Sequence, residues 1–145
     1  MAFFGLLGGK PKGYASPWLQ LTVVHAYSHE GLSADEAFSL RGRVIQSKPI
    51  DFEFKPPHAY IAFFPATAAG LEQGTELAGA LRNVAREMSL PAFGVGVLQG
   101  ECLAQKSASG RFVAKPAGTV ISLALTAAME ESGAKSQSKQ KLPGQ

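Results

Sequence analysis

The sequence has one cysteine, no long apolar run and no excess of acid, and each absence excludes something. Cys102 has no partner within the chain, so the disulfide framework of a small secreted protein is ruled out and a reducing cytoplasm is the expected setting. No stretch approaches the roughly 20 apolar residues that cross a bilayer. The opening Ala2-Phe3-Phe4-Gly5-Leu6-Leu7 is apolar but lacks a preceding basic region and a small-residue cleavage site. It reads as a terminal strand or flap on the core, with membrane-surface anchoring the sharper alternative.

What is present is enough apolar surface for one folded domain. Of 145 residues 46% are hydrophobic, including nine Phe, three Tyr and one Trp, which offsets chain entropy and excludes disorder for the body. The formal charge of +3 suggests a basic protein until it is located. Lys135, Lys139 and Lys141 lie in a tail without acids, which leaves eleven bases and eleven acids in residues 1–132. A neutral body argues against nucleic acid as a partner. The chain divides into an apolar or flexible arm over 1–16, a single domain over 17–132, and a Lys/Ser/Gln tail over 133–145 with nothing to bury, expected to be disordered.

Along the body, Trp18 to Tyr27 is rich in β-branched and aromatic residues and predicts a strand. Ser33 and Glu36 have capping-box spacing, so a helix starts there, with Ala37, Leu40, Val44 and Ile45 as its apolar stripe and Gly42 weakening its end. Ile50, Phe52 and Phe54 alternate with Asp51, Glu53 and Lys55, a half-buried strand with both acids on a solvated face. Pro56-Pro57 turns the chain into Ala59–Phe64, apolar enough for a central strand buried on both faces. Leu77, Leu81, Val84 and Met88 mark an amphipathic helix that ends before Pro91. Ala92–Ala104 reads as a strand, Arg111–Ala114 as its hairpin partner, and Gly118–Met129 as a helix apolar on all sides and hence well buried. The order βαββαβ is the ferredoxin-like pattern, an α+β fold whose antiparallel sheet is covered by helices, here with an added hairpin strand and a C-terminal helix.

Few residues offer chemistry. Gly94, Gly96 and Gly100 alternate with apolar residues inside a strand, which signals close approach of a neighbouring backbone rather than a phosphate loop. His25, His29, His58 and Cys102 are too few and too scattered for a metal site, and a strand cysteine is an inert hydrophobe. Lys106, Arg111 and Lys115 surround Phe112 with no acid between them, which suits a phosphate or RNA, or simply a solvated hairpin tip.

Several strings in this order resemble the catalytic domain of class III nucleotidyl (adenylate/guanylate) cyclases. Leu21–Tyr27 is similar to the family's first strand, and Ala59–Pro65 with the Ala-rich helix after it is similar to its hairpin strand and next helix. Phe93–Glu101 resembles its glycine-bearing strand, and Gly118–Ala124 resembles the start of its "Gly-Asp-x-Val-Asn-x-Ala" helix. The resemblance implies a ferredoxin-like core and a surface suited to dimerisation, since active members build their site between two subunits. It also implies where chemistry would sit. The two aspartates that hold Mg²⁺ on the triphosphate fall at Tyr27 and His58, and the asparagine and arginine of the last helix fall at Ser122 and Thr126. Lys55 lies about one residue from the base-recognition lysine. Without carboxylates nothing holds the metal. The expectation is therefore a non-catalytic, dimeric cyclase-like domain, needing no cofactor, that acts through protein contacts in the cytoplasm. A nucleotide or small-phosphate sensor on Lys106, Arg111 and Lys115 is the alternative. A nucleic-acid module using Tyr14, Trp18 and Tyr60 is a third.

Overall fold

A computed structural model describes residues 18–133. Residues 1–17 and 134–145 lie outside them, and with these the arm, Tyr14 and all of the tail but Gly133. The helix starts follow from local chemistry. Ser33 Oγ accepts from the Glu36 amide at 3.2 Å while the Glu36 carboxylate accepts from the Ser33 amide at 2.8 Å, and α1 (Ala34–Gln46) begins there. Ala37, Leu40 and Val44 are buried, whereas Ile45 is 47% exposed, one residue and hence about 100° around the helix from the stripe. Thr67 caps α2 (Ala68–Glu87) by accepting from the Gly70 amide at 2.9 Å, and α2 buries Leu77, Ala78, Leu81, Val84 and Ala85.

Four strands form one antiparallel sheet: β1 (Trp18–Ser28), β2 (Asp51–Lys55), β3 (Ala59–Pro65) and β4 (Phe93–Leu103), in the spatial order β2-β3-β1-β4. The two central strands, β1 and β3, are the most fully buried, with six consecutive buried residues in each. On one face Val24, Ala26, Tyr60, Ala62, Phe64 and Val95 pack against Leu40 and Val44 of α1 and Leu77 and Leu81 of α2. Buried Tyr60 donates its hydroxyl to the Ala37 carbonyl at 2.8 Å, so it is not the exposed sheet aromatic that a nucleic-acid module would need. The βαββαβ core is thus the expected ferredoxin-like one.

The other face departs from expectation in two places. Here Leu21, Val23, Ile61, Phe63 and Cys102 meet Val120 and Ala124 of α3 (Thr119–Ser132) and, from the segment before it, Phe112. Far from being buried all round, α3 buries only Val120, Ala124, Ala128 and Ser132, one residue per turn, and leaves Leu123 53% exposed. The cause is the glycine pattern of β4. A Cβ on Gly94 would overlap the Ala128 carbonyl oxygen, one on Gly96 would overlap that of Ala124, and one on Gly100 would lie 3.0 Å from the Val120 side chain. Helix backbone rests directly on strand backbone, so a single line of side chains makes the contact.

Second, Arg111–Ala114 forms no strand. The segment from Ala104 to Gly118 is a strap held by isolated bridges between Lys106 and Phe112 and between Leu103 and Ala117. Phe112 sits at the first of these bridges and packs into the core edge-on to Phe63, with centroids 5.7 Å apart and planes at 90°.

Candidate functional site

Pairing of β1 with β3 sets Tyr27 opposite Ala59, which places the end of β1 beside the turn that carries His58. The Ser28 amide donates to the His58 carbonyl at 2.8 Å, and His58 Nδ1 lies 2.9 Å from the Ser28 carbonyl, so Nδ1 is the donor. The rings of Tyr27 and His58 stack with centroids 5.9 Å apart and planes 26° from parallel, and the Tyr27 hydroxyl is 3.1 Å from His29 Nδ1. The two positions that the resemblance gives to metal-holding aspartates are therefore neighbours in space, occupied by a phenol and an imidazole. Mg²⁺ needs hard oxygen ligands, usually one or two carboxylates, and stacked rings do not fit it. Among the described residues no group of three His, Cys, Asp or Glu could hold a metal ion.

Strand alternation puts Leu21, Val23, His25 and Tyr27 on the α3 face of β1. His25 is 3% exposed, its Nδ1 has no hydrogen-bond partner, and burial, aided by the charge of Lys55, lowers its pKa to about 4. It is a neutral core residue at pH 7. Cys102 is buried and burial pushes its thiol up, the opposite of what a nucleophile needs.

A cleft of about 370 Å³ opens beyond this face between β2, the strap and α3, lined by Glu53, Lys55, Lys115, Gly118, Ile121 and Ser122. Ser122 is exposed there; Thr126, one turn later on α3, is half-buried and outside the lining. Lys55 and Glu53 form an exposed pair at 3.8 Å.

Asp51 is the charged residue that sequence reasoning misplaced. Expected on a solvated face, it is 3% exposed, because the strap folds over β2. Its Oδ1 accepts from Arg111 Nη2 at 2.9 Å, from Lys115 Nζ at 3.1 Å and from the Phe52 amide at 2.8 Å, and Lys115 also donates to the Phe52 carbonyl at 3.0 Å. Burial pushes the carboxyl up, but the bonds from Lys115, Phe52 and Arg111 outweigh it and leave it below the usual carboxylate range. Of the three cations expected to serve a phosphate, Arg111 and Lys115 thus already hold an internal anion, and Lys106 stands apart at the bridge to Phe112.

Asp51→Asn should cost about 2 kcal/mol, the range for hydrogen bonds to a charged group. The loss is limited because the side chains of Arg111 and Lys115 are 64% and 43% exposed and can turn to water. Urea midpoints at pH 7 measure it, and the variant should also lose the wild-type fall in stability below about pH 4, where the unfolded chain takes up a proton that the native carboxylate still refuses.

No family model matches the sequence, and no curated protein matches it. Solved structures do. The fold is similar to that in a crystal structure of the guanylyl cyclase Cya2, at 17% identity and a TM-score of 0.47 over 75% of this chain and 68% of that one. Two structures of bacterial light-regulated adenylyl cyclase match at 14% and 13% identity with TM-scores of 0.47 and 0.46, each over 81% of this chain. The chain spans 41% of the length of either.

Apolar side chains are exposed on both sides of the sheet. Phe38 is 73% exposed on α1, on the same side as Ile45, while Val113 at 66%, Leu103 and Leu123 lie exposed around the strap and α3. No helix among the described residues is long and apolar enough to cross a membrane.

Proposed function

We propose that this chain is a non-catalytic, cyclase-like domain that works in the cytoplasm through contacts with another protein or a second copy of itself, in a regulatory or scaffolding role. The observation that carries the reading is the stacked pair of Tyr27 and His58, side by side where the resemblance expects two carboxylates. Two rings leave a nucleoside triphosphate's metal without ligands, and the transition-state positions hold only the hydroxyls of Ser122 and Thr126, which carry no positive charge to offset that of the phosphates. Phe38 and Ile45, seven residues apart and hence exposed on one side of α1, support the use of surface rather than cleft. The pairing of Arg111 and Lys115 with Asp51 weighs against a phosphate sensor, since an anion there would have to displace a buried carboxylate.

Full-length protein with ATP or GTP and Mg²⁺ or Mn²⁺ is expected to form no cyclic nucleotide above a protein-free control. A rate that disappears in Ser122→Ala or Lys55→Ala would overturn the proposal. In the same samples neither nucleotide should raise the melting temperature; a ligand at 100 times its dissociation constant would add about 2.7 kcal/mol of stability.

A further inference from the structure

As an edge strand, β4 turns the N–H and C=O of every second residue away from β1. Val95 shows which residues these are. Its amide donates to Glu131 Oε2 at 3.3 Å and its carbonyl accepts from Arg82 Nη2 at 3.1 Å, while Arg82 and Glu131 clasp each other at 2.8 and 3.0 Å. Two side chains thereby imitate a neighbouring strand. At the far end Leu103 exchanges both backbone bonds with Ala117, at 2.7 and 3.1 Å. Between these stoppers the same alternation points the amides and carbonyls of Val97, Gln99 and Glu101 outward, and nothing among the described residues bonds them. Beside this open window, between β4 and α3, lies a cavity of about 530 Å³ lined mainly by Trp18, Leu98, Gly100, Val120 and Leu123, with Glu101 its one charged residue.

We propose that the window is a strand-addition site whose occupant is the chain's own apolar segment Ala2–Leu7. The open stretch is five residues and the segment six, so one short extended strand fills it without meeting either stopper. In extended chain, Phe4 and Leu6 point to one side and Phe3 and Leu7 to the other, so either orientation offers the cavity a pair of large apolar side chains. The link of residues 8–17 ends at Trp18, on the rim of the cavity itself. Ten residues reach at most about 33 Å, which is ample for the segment to return to this edge. Lys10 and Lys12 in the link have the sign that complements Glu101. The proposal is independent of the functional reading above and concerns only the edge of the sheet.

Amide hydrogen exchange tests it residue by residue. In the full chain the amides of Val97, Gln99 and Glu101 should exchange at least about tenfold more slowly than in a chain lacking residues 2–7 or in Phe4→Asp/Leu6→Asp, while Gly96 and Leu98, which bond to β1, stay equally protected in all three. A synthetic peptide of residues 2–12 added to the shortened chain should slow the same three amides. Equal exchange at 97, 99 and 101 in the full and shortened chains would overturn the proposal. So would protection that rises with protein concentration, which would give the strand to a second copy.

Discussion

Gly96→Ala is expected to lower stability by about 3 kcal/mol or more, beyond the usual cost of one extra methyl in a core. The added carbon would occupy the place of the Ala124 carbonyl oxygen, and Ala127 Cβ would lie 2.9 Å from it. Neither neighbour is the far end of a flexible side chain, so the response must be a shift of the whole of α3. That shift uncovers Phe63, Cys102 and Val120, which α3 and the strap bury together. Gly100→Ala supplies the comparison, since its Cβ would meet only the Val120 side chain at 3.0 Å and should cost far less. Urea unfolding of both variants measures the difference; equal midpoints would mean that α3 does not rest on β4 backbone.

Acid should destabilise the protein well above the pH at which its carboxylates titrate. His25 has a folded pKa near 4 against an ordinary value of 6.5, because burial excludes its charged form and Lys55 adds repulsion. Above pH 6.5 the residue is neutral in folded and unfolded chains and contributes nothing to the pH dependence. Between 6.5 and 4 the unfolded chain takes up a proton that the folded chain refuses, so stability falls by up to about 1.4 kcal/mol per pH unit and by about 3 kcal/mol in all. Below 4 this contribution levels off and the loss from Asp51 takes over. His25→Leu should flatten the profile between pH 4 and 6.5 in urea titrations; an unchanged slope would place the proton elsewhere.

How much of this was legible in the sequence depended on how local the cause was. The capping box of Ser33 and Glu36, the burial of Ala59–Phe64 and the meaning of the alternating glycines in β4 all follow from neighbours within a few residues, and each stands in the structure as read. Asp51 did not, because what buries it arrives from Arg111 and Lys115, some 60 residues later. The burial of α3 was overestimated for a related reason. Its apolar residues do surround the helix, but the strand glycines bring it so close that only the Val120, Ala124 and Ala128 line finds a partner, and Leu123 is left outside. The expected hairpin strand is reduced to the single bridge of Phe112 with Lys106, while the Phe112 side chain packs edge-on against Phe63. For the candidate site, the residue types at Tyr27 and His58 were plain, and only strand register could show that they stack on each other.

The central claim is that this stacked pair cannot hold the metal of a nucleotide. Mn²⁺ titrated into the full chain with ATP or GTP tests that directly, because a bound paramagnetic ion broadens the NMR signals of the side chains nearest to it most strongly. The account predicts that the ring signals of Tyr27 and His58 broaden no more than those of other exposed residues. Selective broadening of that pair, saturating with Mn²⁺ and dependent on the nucleotide, would contradict it.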